Sequence, residues 1–407
     1  MKFISKKNFQ KLTHSILILL IFLLFFKFLN IRLFYRYQDK RRDLFIELIG
    51  IDMDYKLKKD EVIKLEDVAI QEGIRRQKIL LPGSYNQTIP CYFFYHENNL
   101  NQPAIIVPPG HGEGIIETAG LQSSYQKSNA LEIAKAGFAT ITCENRGQGE
   151  LKYYLKLKDD SYYKLDQIPP DLIFPQDYDM KLLSSLEVYN LPKNEQRYYF
   201  PLETAKLHQV VGVKSYNALI LSDNRLAIDY LESIDFIDKN FLGIAGVSQG
   251  GSTSLYLAAI DPRLKATVVM GWLTNWVELL DDDEDWRIPG IDIHFPSMAE
   301  VAMLVIPRYS LYHNGGQEAV KVVGVGFPAD TARLIFNQIK LYYLKALAPS
   351  KTQFHSYDIE HEFVNQLAVD FLEQSFNQKN STRNDITQLL KIKIKHFLGI
   401  YDYQIQE

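Results

Sequence analysis

The stretch NFLGIAGVSQGGSTSLYLAAI, residues 240–260, decides the fold. Its first part, NFLGIA, has the short apolar pattern of a buried strand, and its last part, STSLYLAAI, has that of a buried helix. Between them, Gly246, Ser248 and Gly250 form the pattern G-x-S-x-G. A sharp turn from strand to helix leaves no room for side chains beside its central serine, so glycine is needed on both sides. The stretch therefore predicts a turn that presents the Ser248 hydroxyl at the carboxyl edge of a sheet.

The segments around this turn alternate between helical and strand patterns. ALEIAKAG predicts a helix that ends near Gly137, and FATITC predicts a buried strand over 138–143. Further along, the helical pattern SYNALILSDNRLAIDYLESI precedes NFLGIA, and the strand pattern RLKATVVMG follows the helix after Ser248. A hairpin broken by PGSYNQ leads into a third strand at 104–107. Such alternation predicts an α/β fold, with a mostly parallel sheet and helices on both faces.

The composition is that of a globular protein. The chain has 407 residues, 46% of them hydrophobic and 23% charged, with a formal net charge of -4. It carries no basic excess suited to a phosphate backbone, which argues against nucleic acid as a partner. The two cysteines, Cys91 and Cys143, lie in apolar, strand-like stretches. We therefore expect two buried free thiols rather than a disulfide or a metal site.

The N-terminal residues 1–42 differ from the rest of the chain. The run from Ile16 to Phe26 is uninterruptedly apolar. It is short for a membrane span, which needs about 20 residues, but it reaches that length if Lys27 snorkels and FLNIRLF is included. We predict a single-pass membrane anchor whose orientation is open. A cleaved signal peptide, which would make the protein secreted, and a buried helix are the alternatives.

Residues 43–407 are predicted to form the main domain. Its first part, 43–73, is charged and loosely helical. The alternation stops over about 151–214, a segment rich in Tyr, Lys, Asp and Pro. Such a long stretch without periodicity predicts an inserted, lid-like region.

A base for Ser248 has to come from elsewhere in the chain. A serine hydroxyl is a poor nucleophile until a base removes its proton, and in this architecture the acid and then the histidine follow the serine. His361 is the best candidate, because it lies in a short loop after the predicted last strand. His355 lies within that strand and is expected to pack, and His396 belongs to a basic C-terminal helix past the sheet.

Two carboxylates are candidates for the acid. Both follow a predicted strand at 308–312. Glu318 lies in the glycine-containing loop just after that strand, whereas Asp330 is expected at the N-cap of the next helix, where aspartate is favoured for structural reasons alone. We favour Glu318 and keep Asp330 as the alternative. The acid would orient His361 and stabilise its imidazolium.

The loop PPGHGEG, after the third strand, is a candidate oxyanion hole. In this architecture one donor is a backbone N–H of that loop and the other is the N–H that follows the nucleophile. We therefore predict the N–H groups of His111 and Gln249 as donors, with Gly112 as a neighbour of the first. No second ligand stands at helical or hairpin spacing from His111, so no metal is predicted, and the chemistry needs no cofactor.

Together with CENRGQGE, EVAMLVIPRYSLYHNGGQE and EHEF, these motifs resemble those of the α/β-hydrolases of the dienelactone hydrolase and acetyl xylan esterase-like group, over about 74–374. The resemblance implies the α/β-hydrolase fold, with an eight-stranded, mostly parallel sheet and a triad used for ester hydrolysis. By position Ser248 matches the nucleophile, His361 the base, and Glu318 the acid, where the family normally carries aspartate. Dienelactone hydrolases proper use cysteine as nucleophile, so Ser248 favours carboxylic esters as substrates.

The sequence thus predicts a membrane-anchored serine hydrolase that cleaves a small-molecule carboxylic ester through an acyl-enzyme. A serine peptidase of the same fold is one alternative, although oligopeptidases generally add a large N-terminal β-domain for which this chain leaves no room. A non-catalytic binding protein is the other, in which the aromatic segment at about 151–214 would contact a partner.

Overall fold

The computed structural model describes residues 6–377, apart from 72, 84–87, 157–182, 185–191, 193–198, 202–212, 277–287 and 319–326. The α-helices of that part are α1 (Lys6–Ile49), α2 (Ile115–Thr118), α3 (Asn129–Lys135), α4 (Tyr216–Glu232), α5 (Gln249–Ile260), α6 (Ile291–His294), α7 (Met298–Met303), α8 (Ala329–Lys345) and α9 (Asn365–Asn377). The strands are β1 (Ile63–Gln71), β2 (Ile74–Pro82), β3 (Thr88–His96), β4 (Gln102–Ile106), β5 (Ala139–Cys143), β6 (Tyr153–Lys156), β7 (Leu183–Ser184), β8 (Tyr199–Pro201), β9 (Ile237–Val247), β10 (Leu264–Met270), β11 (Tyr309–His313) and β12 (Thr352–His355). Short 3-10 helices lie at Lys59–Glu61, Gly149–Leu151 and Pro349–Lys351.

The main sheet has nine strands in the order β1-β2-β3-β5-β4-β9-β10-β11-β12. The pairs from β1 to β5 are antiparallel, and every pair from β5 to β12 is parallel. The mostly parallel sheet is therefore confirmed, but the expected eight strands fall short of the nine observed. The sequence pattern missed β1, whose residues IKLEDVAIQ are mostly exposed at the sheet edge and so lack an apolar alternation.

Helices cover both faces of the sheet, as predicted. Helices α1, α4, α5, α7 and α8 pack against one face. Helices α2, α3 and α9 pack against the other. Every residue of α5 is buried, which explains why its sequence has no polar face. This helix starts directly after Ser248, so the Ser248 turn lies between the sheet and a fully packed helix.

The expectation of two free thiols is wrong, because Cys91 and Cys143 form a disulfide. The two residues are directly opposite each other on β3 and β5, with their Cα atoms 4.1 Å apart. The chain passes from β4 through α3 to β5, and β5 lies between β3 and β4. Sequence reasoning placed the third strand next to the hairpin, so it did not bring the two cysteines together.

Helix α1 joins the N-terminal segment to the domain. Its last turns belong to the core, since Phe45 and Ile49 are fully buried. Gln38 donates to the carbonyls of Met303 (2.6 Å) and Ile306 (2.7 Å), so contacts with the domain begin before the predicted boundary at residue 42. Among the described residues, no helix is long and apolar enough to span a membrane. The apolar run at 16–26 lies in α1, but its side chains are outside the described residues.

The predicted insertion at about 151–214 contains a small antiparallel sheet. It has three strands in the order β7-β6-β8. The other residues of the segment lie largely outside the described part of the chain. A lid-like function for this segment therefore stays a prediction.

Candidate active site

Ser248 occupies the turn between β9 and α5. Its backbone has φ 60° and ψ -126°, a left-handed conformation that is strained for a residue with a side chain. Its N–H donates to the carbonyl of Met270, at the end of the neighbouring strand β10, over 3.0 Å. The turn places the residue at the N-terminus of α5, where the helix dipole stabilises negative charge. This is the geometry that the G-x-S-x-G pattern predicts.

The glycines of the turn allow close backbone approach. A Cβ at Gly250 would collide with the carbonyl of Pro108, in the loop after β4. A Cβ at Gly251 would lie 2.6 Å from the carbonyl oxygen of Met270. The turn is therefore held between the β4 loop and β10 by contacts that exclude any larger residue.

His361 and Glu318 meet at the same edge of the sheet. They follow the adjacent parallel strands β12 and β11, whose carboxyl ends lie side by side. His361 Nδ1 is 3.2 Å from Glu318 Oε2, and Glu318 Oε1 accepts from the N–H of Gly315 over 2.6 Å. The Glu318 side chain is 2% exposed and that of His361 25% exposed. The carboxylate is thus fixed by two hydrogen bonds, whereas the imidazole faces the solvent side.

The alternative acid is placed differently. Asp330 is exposed in the first turn of α8, as its second residue rather than its N-cap; Pro328 precedes the helix. Within the described part of the chain, His361 pairs with Glu318 and makes no hydrogen bond or ion pair with Asp330. His355 lies on β12, half-buried, with its ring 6.2 Å from that of Tyr357. His396 lies outside the described residues.

The His361 imidazole lies beside the Ser248 turn. A Cβ at Gly271, which directly follows Met270, would come within 2.5 Å of His361 Cε1. Two aromatic rings contact the imidazole. The ring centroid of Tyr125 is 5.5 Å away at an interplanar angle of 28°, and that of Phe327 is 5.5 Å away at 15°. Stacked rings at such distances confine the imidazole plane.

The loop after β4 contains His111, the first predicted oxyanion donor. The N–H of Gly110 donates to Gln126 Oε1 over 2.7 Å, and the Tyr125 hydroxyl donates to the carbonyl of His111 over 2.8 Å. The same hydroxyl lies close to the Ser248 side chain. Burial raises the pKa of Tyr125 far above its ordinary value, and the Ser248 side chain opposes this shift. The Tyr125 hydroxyl therefore contacts the His111 peptide beside Ser248.

Gln249, the second predicted donor, is the first residue of α5. Its side-chain Oε1 accepts from Gln148 Nε2 (2.6 Å) and from Asn145 Nδ2 (3.4 Å). Asn145 also donates to the carbonyl of Pro109 over 3.1 Å. The loop after β5 thus connects the start of α5 to the loop after β4, so both candidate donors are held by the same polar network.

Glu144 lies at the centre of that network. Its carboxylate accepts from the N–H groups of Ile115, Asn145 and Glu150. Burial raises the pKa of Glu144 to about 8, although these N–H donors act in the opposite direction. Next to it, Arg146 and Asp223 form a buried ion pair with two hydrogen bonds of 2.7 and 2.8 Å. Removing one partner of such a pair leaves a buried charge uncompensated.

Sequence reasoning missed Tyr125 and Phe327. Both belong to connecting segments without a motif, and only the fold brings them to His361. The turn SSYQKSN between the β4 loop and α3 was the single available signal for Tyr125. Among the described residues, no group of three His, Cys, Asp or Glu side chains is arranged to hold a metal ion.

No family model matches the chain, and a search of the curated proteins finds no match. Solved structures do match. A methylesterase superposes with a TM-score of 0.56 at 17% identity, covering 84% of this chain and 64% of that protein. A candidate acetyl xylan esterase from Bacteroides fragilis gives a TM-score of 0.57 at 14% identity, covering 84% and 88%. A glucuronoyl esterase from Solibacter usitatus gives 0.52 at 12% identity, covering 83% and 92%.

These similarities establish the fold. The chain has the α/β-hydrolase fold, in agreement with the resemblance inferred from its motifs. The chain spans less than two thirds of the methylesterase. At these identities the comparison shows shared architecture, and activity has to be inferred from the site itself.

Proposed function

We propose that the protein is a serine hydrolase that cleaves carboxylic esters, with Ser248 as nucleophile, His361 as base and Glu318 as the acid that orients the base. The observation that carries the proposal is the convergence of the strained Ser248 turn with the His361–Glu318 pair at one edge of the sheet. A turn with that backbone conformation is costly, and such strain is retained mainly where it serves a site.

The proposed reaction forms and breaks one acyl bond at Ser248. Its Oγ attacks the ester carbonyl carbon while His361 takes the hydroxyl proton. His361 then gives that proton to the leaving alcohol, which leaves an acyl-serine. Water, deprotonated by His361, releases the carboxylic acid and restores the serine. The N–H groups of Gln249 and His111 are proposed to stabilise the oxyanion of both tetrahedral intermediates.

The comparisons favour esters over peptides as substrates. The three neighbours described above with TM-scores over 0.5 are named as esterases. The acid–base pair has no feature that selects an amine leaving group, so the choice between esters and peptides rests on those neighbours. We therefore include peptides as a competing substrate class in the test.

The test compares Ser248→Ala with Ser254→Ala. Ser254 is the control, because it lies on α5, the helix that follows Ser248, is buried, and donates from Oγ to the carbonyl of Gly250 over 2.7 Å. We expect a fluorophosphonate probe to label the wild type and Ser254→Ala but not Ser248→Ala. We also expect hydrolysis of 4-nitrophenyl acetate to fall by at least about 10³-fold in Ser248→Ala only.

Two results would count against the proposal. Absence of labelling and of ester hydrolysis in the wild type would favour a binding protein. Cleavage of peptides but not of acetyl to long-chain esters would favour a peptidase. Either result would change the proposed activity and not the description of the fold.

We infer that the protein is attached to a membrane, from the sequence of its N-terminal segment. The apolar run at 16–26 supports attachment to a membrane, and cleavage of that segment would release the domain. The docking of Gln38 onto α7 and the residues after it would then keep the domain close to the attached segment.

A further inference from the structure

Tyr125 contacts three separate parts of the proposed site. Its ring stacks on the His361 imidazole, and its hydroxyl donates to the carbonyl of His111 and lies close to the Ser248 side chain. In addition, its own backbone carbonyl accepts from the N–H of Phe363, two residues after the base, over 2.9 Å. We call the PPGHGEG segment after β4 the oxyanion loop. A tyrosine that served only the core would not need to contact the proposed nucleophile, the proposed base and this loop together.

The direction of the hydrogen bond to His111 follows from the chemistry of a phenol. A phenol has one proton, and Tyr125 donates it to the carbonyl of His111. That proton is therefore not donated to Ser248 Oγ. The phenol acts on the site by holding the His111 peptide beside the Ser248 turn.

The same contact orients the oxyanion loop. In a trans peptide the C=O and N–H groups point to opposite sides. Because the His111 carbonyl faces the Tyr125 hydroxyl, the N–H of Gly112 in the same peptide points away from it. The N–H of Gly110 already donates to Gln126. We keep the N–H of His111 as the proposed oxyanion donor of this loop.

The loop has no room to adjust around this hydroxyl. A Cβ at Gly110 would collide with the Tyr125 hydroxyl oxygen and would lie 2.9 Å from the carbonyl of Val247. The phenol is thus enclosed between the oxyanion loop and the residue before Ser248. On the opposite side of the imidazole, the ring of Phe327 completes a stack of three rings with Tyr125 and His361.

We propose that Tyr125 is a positioning residue of the active site, whose hydroxyl holds the His111 peptide beside the Ser248 turn and whose ring holds the imidazole of His361. The inference rests on the proposed function. It adds a fourth side chain to the site, one that acts through the base and the oxyanion loop without reacting itself.

The test separates the hydroxyl from the ring. Tyr125→Phe keeps the ring and removes the hydroxyl, and Tyr125→Leu removes both. Tyr343→Phe is the matched control, because the Tyr343 hydroxyl also donates to a backbone carbonyl, that of Arg308, over 2.7 Å, away from the site. Rates on 4-nitrophenyl acetate are normalised to the fraction of chains that a fluorophosphonate labels, so that unfolded protein does not count.

We expect kcat of Tyr125→Phe to fall about 10- to 100-fold with KM changed less than about threefold, less than the loss of an oxyanion donor itself. The kcat of Tyr125→Leu should fall by about another tenfold, because the imidazole loses one of its two neighbouring rings. Tyr343→Phe should keep its kcat within about twofold while its melting temperature drops.

The inference would be overturned if Tyr125→Phe kept the wild-type kcat. It would also be overturned if kcat fell by the same factor in Tyr343→Phe as in Tyr125→Phe. Ser248→Ala, measured in parallel, keeps the two proposals distinguishable. If Ser248→Ala still hydrolyses the ester, the proposed function itself fails. If Ser248→Ala is inactive and Tyr125→Phe behaves as the wild type, only the positioning by Tyr125 fails.

Discussion

The turn of the proposed nucleophile, Ser248, and the proposed acid–base pair, Glu318 and His361, are held in different ways. Backbone contacts fix the turn, since Gly250 and Gly251 leave no space beside the carbonyls they approach and the loop after β5 adds buried hydrogen bonds. The acid–base pair has one hydrogen bond of 3.2 Å and two ring contacts, and His361 is partly exposed. The first arrangement is encoded within a few consecutive residues. The second requires two loops, separated by β12 and α8, to meet.

The largest expected effect comes from Gly250→Ala. The new Cβ would collide with the carbonyl of Pro108, so either the turn or the β4 loop must move. We expect ester hydrolysis to fall below detection and the free energy of unfolding to drop by about 1–3 kcal/mol. Urea unfolding and the 4-nitrophenyl acetate assay measure the two effects.

Gly73→Ala is the control for that variant. Gly73 has a positive φ, 76°, which Gly250 does not, and no atom lies within 4 Å of its missing Cβ, so its substitution introduces strain without a collision. Backbone strain should lower the free energy of unfolding of Gly73→Ala by about 1–2 kcal/mol, and the variant should keep its activity. Wild-type activity in Gly250→Ala would show that the turn tolerates displacement and that sterics do not fix the nucleophile.

The second effect concerns the acid. Glu318→Gln keeps the shape of the side chain but cannot stabilise an imidazolium by charge, so we expect kcat to fall by about 10³- to 10⁴-fold. Asp330→Asn is the matched control and should stay within about twofold, since Asp330 is exposed at the start of α8. The reverse result, an active Glu318→Gln and an inactive Asp330→Asn, would assign the acid to Asp330.

The third effect is on the pH dependence of stability and not on activity, and it has opposite signs in the two regions. His313, the last residue of β11 before the Glu318 loop, is fully buried, and both of its ring nitrogens lack a hydrogen-bond partner among the described residues. Burial, and then the nearby His355, lower the pKa of His313 to about 4 from 6.5. The unfolded chain therefore binds the proton more readily, and stability falls as pH drops from 6.5 towards 4, by at most about 1.4 kcal/mol per pH unit.

Glu144, behind the nucleophile turn, acts in the other direction. Because burial raises its pKa to about 8, the folded chain binds its proton more tightly than the unfolded chain, whose carboxyl has a pKa near 4.5. Its contribution to stability is full below pH 4.5 and is lost as pH rises to 8. We expect His313→Phe to flatten the loss at acid pH and Glu144→Gln to flatten the loss towards pH 8. Urea unfolding across pH 4–8 would contradict this if both variants kept the wild-type slopes.

The same contrast explains what the sequence could predict. The Ser248 turn follows from glycines and a strand–helix pattern within one short stretch, so its backbone conformation was predictable. The loops of Glu318 and His361 could be placed because parallel strands end at one edge. Their pairing distance could not, since it depends on Gly315 and Gly271 admitting two loops at close range.

Contacts that depend on strand order were not predictable. Sequential strands usually pair, but here β5 inserts between β3 and β4. This strand order places Cys91 opposite Cys143, and it lets Asn145, after β5, donate to the carbonyl of Pro109 in the loop after β4. The contacts of Tyr125 were not predictable for a related reason. A single aromatic residue in a turn has no periodicity or motif spacing that indicates which residues it contacts.

The disulfide has a consequence for the connectivity of the site. Cys91 and Cys143 close a covalent ring whose members include the whole oxyanion loop and Tyr125. A protease that cuts once inside this ring opens it without releasing a fragment. Both new chain ends stay attached to neighbouring strands of the sheet, and only a reductant separates them. The nucleophile and the base lie outside the ring, so the part of the site that aligns them is the part that is tethered at both ends.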